Sequence, residues 1–173
     1  MTYVAAHMRD RDYEEIMCQL PDGADPSHAA IGCFAASPDH KYVVFLDGEP
    51  EVTFGTSPNT FAGNVVSLWM FGTDRTRPAV PIITNFFHAV IIPDLVKTGK
   101  TRCEVRALET NLDTIRWLLK VGLRDGGPLE AWGRNGEDFR LLYTTDEIWS
   151  RTKHWGFKSE KLVPYANGVV RPV

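Results

Sequence analysis

Between Lys41 and Gly72 the chain carries three short apolar runs, KYVVFLD (41–47), EVTFGTS (51–57) and VVSLWMFG (65–72). Only a Gly48-Glu49-Pro50 turn and a PNTFAGN loop separate them. Blocks of β-branched and aromatic residues bounded by turn residues predict strands, and links this short predict an antiparallel meander. The period then changes. From Ala79 to Val96 the large side chains fall in pairs, Ile82/Ile83, Phe86/Phe87 and Val90/Ile91, followed by Leu95. Pairs four apart make a stripe on one helix face. The stretch is barely long enough to cross a bilayer and is broken by Pro81, Asn85, His88, Pro93 and Asp94. It is read as a buried helix, with no membrane span.

TRCEVRAL (101–108) alternates Cys103, Val105 and Ala107 against charged neighbours, which predicts a strand. NLDTIRWLLKVG (111–122) predicts a helix with Leu112, Ile115, Leu118 and Leu119 inward, stopped by Gly122. DGGPLEAWGRNGEDFRLLYTT reads as a hairpin, with a strand near Leu129–Trp132, a turn at Gly133–Gly136 and a strand near Phe139–Thr144. At the other end, YVAAHM (3–8) reads as a first strand. Asp10 caps a helix, DRDYEEIMCQL, with Tyr13, Ile16, Met17 and Leu20 on one side, and Ser27 starts a second, which Ser37-Pro38 ends. The order β-α-α-β-β-β-α-β-α-β-β contains one strand–helix–strand crossover, which demands one parallel pairing. A mixed α/β domain over 1–145 is expected, followed by a C-terminal helix and extended tail over 146–173.

Length and composition narrow the function classes. A chain of 173 residues with 43% hydrophobic content fits one domain with a real core. A net charge of -3 and a pI near 5.9 argue against a general polyanion binder, so nucleic acid is not an expected partner. Cys18, Cys33 and Cys103 are widely spaced without CxxC, and the five histidines show no HxxxH or HxH. Neither a disulfide framework nor a metal site is signalled. Met1 to Ile16 carries charges where a signal peptide needs an apolar run, so secretion is not expected.

The chemistry-bearing stretch is FGTDRTRPAV, Phe71 to Val80, where a strand runs through a turn with two arginines into a helix. Those are the parts of a phosphate cradle. The element order and NLDTIRWLLKVGL together resemble the GNAT superfamily of acyl-CoA-dependent N-acetyltransferases. That superfamily has an Asn after its fifth strand and a helix ending in a Gly-Phe-like pair, and Asn111, Ile115, Gly122 and Leu123 fall in that register. More narrowly, FGTSP, LWMFGTDR, RCEVRAL, RWLLKVGL and GRNGEDF are similar to a small family of GNAT-like proteins of tailed phages, some of them internal virion or assembly proteins. The resemblance implies a central, mostly antiparallel sheet with one splayed parallel pair, flanked by helices.

The resemblance also assigns roles. Arg75, Arg77 and Ala79 would meet the CoA pyrophosphate and Asn111 the pantetheine arm, if CoA binds. However, Pro78 stands where the superfamily has a glycine, and proline has no N–H to donate. Leu118 stands where a Tyr acid is common. VVSLWMF carries no carboxylate, leaving Glu104, Glu109 and Asp74 as candidate general bases. Three altered features together favour a degenerate site with no cofactor, in a phage virion-internal or assembly protein acting through protein contacts. Such a protein would sit in the host cytoplasm or the virion. The rival is an acetyl-CoA-dependent N-acetyltransferase of unassigned acceptor, and a third reading is a host-interaction protein. Trp149, Trp155, Phe157 and Tyr165, alternating with Arg151, Lys153, Lys158 and Lys161, are the candidate partner-docking residues. The enzyme reading requires an open splay between strands 65–72 and 101–108. The scaffold reading expects it filled by Trp69 or Trp117.

Overall fold

The computed structural model describes residues 1–59, 62–151, 162–164 and 169–172. Three helices come first: α1 (Thr2–Ala6), α2 (Asp10–Met17) and α3 (Pro26–Ala35). Residues 3–6 are therefore helical, with His7 and Met8 beyond the helix end, a correction to the first strand expected over 3–8. Five apolar-rich residues fit either state, and burial decides: Val4 and Ala5 pack into a small core with Ile16, Ala30, Trp69 and Phe71. Asp10 does not cap α2, whose N-cap is Arg9, and Tyr13 is exposed. Asp25 caps α3 by accepting the Ser27 N–H at 2.8 Å.

The meander follows as β1 (His40–Leu46), β2 (Glu49–Pro58) and β3 (Val65–Gly72). Tyr42 lies opposite Phe54, and Phe54 opposite Met70. The β1–β2 turn is Asp47-Gly48, both at positive φ (52° and 88°), the two-residue geometry that suits the strand twist.

The long helix α4 (Arg77–Lys97) opens with a 3₁₀ turn at Arg77–Ala79 and contains a π-helical turn at Phe87–Ile91. Pro93 lacks an N–H and crowds the carbonyl four residues back, which accounts for the wider turn before it. By length and composition α4 could cross a membrane. In the fold its stripe of Ile83, Phe86, Phe87, Ile91, Ile92 and Leu95 is buried in the main core against the sheet. His40 ties the helix to β1, with Nε2 3.1 Å from the Asp94 carboxylate and Nδ1 3.2 Å from the Tyr42 hydroxyl.

β4 (Arg102–Leu108), α5 (Leu112–Val121), β5 (Arg124–Leu129), β6 (Phe139–Thr145) and α6 (Asp146–Arg151) complete the domain. In α5, Ile115 and Leu118 are buried, but Leu112 and Leu119 are exposed. Gly122 ends α5 at φ 104°. β5 starts earlier than the hairpin pattern predicts, because a register shift between Asp125 and Pro128 lets Gly126 and Gly127 sit inside a paired strand. Two further short strands, β7 (Leu162–Pro164) and β8 (Val169–Pro172), extend the sheet to the order β5-β6-β4-β3-β2-β1-β8-β7. β8 runs parallel to β1.

Among the first six strands, β3–β4 is the parallel pair. It pairs only at Val65 with Arg102, Val66 with Cys103 and Ser67 with Glu104. Beyond that point β3 stays with β2 to Gly72 and β4 stays with β6 to Leu108, so the two strands part.

Candidate functional site

The parting of β3 and β4 opens a cavity of about 310 Å³. Its walls alternate with the strands. Ser67, Trp69 and Phe71 face α2 and α3, while Leu68, Met70, Val105 and Ala107 look toward α4 and α5. The volume is at the lower end of the range for small-molecule sites. Neither tryptophan fills it, contrary to the scaffold expectation. The Trp69 indole N–H donates to Ser37 Oγ at 2.8 Å, and that of Trp117 to Thr84 Oγ1 at 2.9 Å. Both rings are thereby held against the walls.

The polar end of the cavity is built by α2. Arg9, Asp12 and Glu15 recur at three-residue spacing and share one helix face. Asp12 Oδ2 accepts the Gly72 N–H at 2.8 Å, and Arg9 N–H donates to Gly72 O at 2.9 Å. Glu15 Oε2 accepts the Leu108 N–H at 3.0 Å and the Asn111 side-chain amide at 3.1 Å. Strand ends that no longer bond each other are thus bonded by one helix. Burial pushes both carboxyls above their ordinary values, with those hydrogen bonds and Arg9 opposing it only in part. Asn111 is buried and lines the cavity, and its Oδ1 has no hydrogen-bond partner. An unmet acceptor in a polar corner can take an N–H or O–H from a ligand or a water.

The residues singled out in the sequence are distributed unevenly around this site. Asn111 and Leu118 line the cavity; Asp74, Arg75, Arg77, Ala79, Glu104 and Glu109 are not among its lining residues. Glu104 is held by Arg102 at 3.0 Å and Arg106 at 2.9 Å. Glu109 pairs with Arg140, which also reaches Asp125. Asp74 is an exposed turn residue. Trp149 is 5% exposed and belongs to the main core. Trp155, Phe157 and Tyr165 lie outside the described residues. Asp12 and Glu15 had no motif to announce them, because their role comes from contacts with residues 60 and 93 positions away.

At the strand-to-helix turn, Arg75 is bound by Asp47 at 2.7 Å and by Glu51 at 3.0 Å. Glu51 is buried and also takes the Thr73 hydroxyl. Three of the turn's N–H groups are bonded within it: Arg75 N–H to Thr73 Oγ1 at 3.2 Å, Thr76 N–H to Thr73 O at 3.1 Å and Ala79 N–H to Thr76 O at 2.9 Å. The parts of a CoA donor therefore fit unequally. The cavity suits a pantetheine thioester, whereas the turn has engaged Arg75 and the N–H groups of Arg75, Thr76 and Ala79 within the protein, leaving the exposed Arg77 as its unpaired cation among the described residues.

No family model and no curated protein matches the chain. Solved structures do. A GNAT-family protein of Chromobacterium violaceum superposes with a TM-score of 0.62 at 16% identity, over 86% of this chain and 81% of that one. Another acetyltransferase-like structure gives 0.65 at 12% identity, over 88% and 81%. The ribosomal-protein-alanine N-acetyltransferase of Brucella melitensis gives 0.51 at 16% identity, over 60% of this chain and 66% of that one, just under two thirds of its length. By these superpositions and by its splayed parallel pair, the chain has the GNAT acetyltransferase fold.

Proposed function

We propose that the protein is an acyl-thioester-dependent N-acyltransferase that works in the β3–β4 splay. The observation that carries this reading is the open cavity with the Glu15 carboxyl and the unmet Asn111 oxygen at its polar end. A bound thioester supplies an activated acyl group, whose carbon–sulfur bond breaks as a carbon–nitrogen bond to the acceptor amine forms. Glu15 is the base. Burial raises its proton affinity toward the range in which a carboxylate can take a proton from an amine and return it to the departing sulfur. Asn111 holds Glu15 through its amide N–H and offers Oδ1 to a ligand N–H or O–H. Trp69, Trp117 and Leu118 keep the apolar part of the cavity dry.

The test is incubation of the protein with acetyl-CoA or acetyl-pantetheine and a panel of primary amines, following release of free thiol. Amine-dependent release that disappears in Glu15→Gln supports the proposal. Thiol release no faster than in buffer, with no binding of either thioester, overturns it.

One observation favours a second reading. The closed turn suits a catalytically silent protein acting through contacts, such as a phage virion-internal or assembly protein or a host-interaction protein. That reading expects no thioester binding at millimolar concentration.

A further inference from the structure

Arg75 at the strand-to-helix turn, half exposed, is already paired, so an anion there must compete with its carboxylates. Its guanidinium lies between two carboxylates, and one of them, Glu51, is 4% exposed at the side chain. Freeing Arg75 would leave that carboxylate buried with only the Thr73 hydroxyl beside it, so the pair resists opening. Charge points the same way. Around the turn, Asp47, Glu51 and Asp74 set three carboxylates against the two guanidiniums of Arg75 and Arg77. A diphosphate placed there would add negative charge to a turn that is already net negative.

The backbone offers little compensation. The Arg75, Thr76 and Ala79 N–H groups are engaged within the turn and Pro78 and Pro81 have none, so of this stretch the Asp74 and Arg77 N–H groups are left, short of the row of donors a diphosphate cradle presents. The Thr76 side chain folds over Gly72 so closely that a Cβ at Gly72 would lie 1.9 Å from its hydroxyl oxygen. That hydroxyl donates to Thr73 O at 2.6 Å. The turn closes on itself where a phosphate cradle stays open.

We infer that this site recognises the acyl-pantetheine segment of its donor and leaves the diphosphate and nucleotide without a specific grip. The ligand class is a thioester on a pantetheine arm, whatever the arm is attached to. The inference rests on the acyltransferase reading of the splay cavity. The cavity's volume, its apolar walls and the Asn111 oxygen at its end suit an amide-bearing chain of that size.

The experiment is a pair of titrations on the full chain, acetyl-CoA against acetyl-pantetheine, read by the change in total tryptophan fluorescence, to which the cavity-wall residues Trp69 and Trp117 contribute, and by calorimetry, at 50 and 300 mM salt. Inorganic pyrophosphate is the third probe. The expected result is that the two thioesters bind within about tenfold of each other, that neither shows a steep salt dependence, and that pyrophosphate does not compete. A working cradle with two charge-assisted bonds would separate the thioesters by about a hundredfold or more. Acetyl-CoA binding more than tenfold tighter than acetyl-pantetheine would overturn the inference and leave the acyltransferase reading standing. Arg75→Ala and Arg77→Ala would then locate the grip. Binding of neither thioester would overturn both.

Discussion

Asp12 and Glu15, one turn apart on α2, take the backbone N–H groups of Gly72 and Leu108, the last residues of the two strands that splay. A splay leaves strand-edge donors without partners, and a buried N–H without a partner is costly. The two carboxylates meet that need and, by the same placement, bring acid–base groups to the end of the cavity. The structural and the chemical roles of α2 are therefore one arrangement, and substitutions can separate them.

Glu15→Gln keeps an oxygen that can accept from Leu108 and Asn111 but removes the base. N-acyl transfer should fall by about 10²–10⁴-fold. The wild-type kcat/KM profile should lose activity on its acid side at a pH above the ordinary carboxylate value, because burial raises the Glu15 pKa. That limb should vanish in the variant. An unchanged rate and an unchanged profile would remove Glu15 from the mechanism.

The same shift makes a stability prediction. A carboxyl whose folded pKa is raised holds its proton more tightly in the folded state, so its contribution is complete below the ordinary value of 4.5. It is lost as the pH rises through the folded pKa. Glu15→Gln has nothing to lose in that window. The Tm of the variant minus that of the wild type should therefore grow between pH 4 and pH 7. A difference that shrinks over this range would mean that the hydrogen bonds from Leu108 and Asn111 outweigh desolvation.

How much of this was legible in the sequence depends on the range of the interactions. β3 was read with its observed bounds, because VVSLWMFG is apolar and bounded by loop and turn residues. The paired apolar positions of α4 also faced the core as the pattern predicts. The run at 3–8 departs from its predicted state because six residues carry too little periodicity, and only packing on α3 and β3 decides that Tyr3–Ala6 are helical. At the site, Asn111 and Leu118 were visible through a local register, whereas Arg9, Asp12 and Glu15 depend on where α2 docks. Pro78 could be read as a lost donor, but the clasp of Arg75 by Asp47 and Glu51 spans a hairpin and has no sequence pattern.

Leu118 is buried, lines the cavity and marks where a filling side chain would block it. Leu118→Phe adds ring volume beside open space, so the overpacking cost should fall at or below the low end of the usual range of about 1–3 kcal/mol. Thioester binding should weaken by at least tenfold while the far-ultraviolet circular dichroism stays unchanged. Full-strength binding in this variant would place the ligand elsewhere than the splay.

Gly55 tests whether the wall position of Trp69 matters. It sits opposite Trp69 on β2, and a Cβ there would lie 2.2 Å from the His40 carbonyl oxygen and 2.6 Å from the Trp69 ring. The first contact is backbone and cannot swing away, so the strands must separate or the ring must move. Gly55→Ala should cost about 1–3 kcal/mol by that overpacking. Because Trp69 lines the cavity on the same face, the displaced indole should also lose its bond to Ser37 and enter the space. The expected signature is a lowered Tm together with a shifted tryptophan emission and reduced thioester affinity. A lowered Tm with emission and affinity unchanged would show that β2 yields instead of Trp69, and that the wall is stiffer than the hydrogen bond to Ser37 alone would make it.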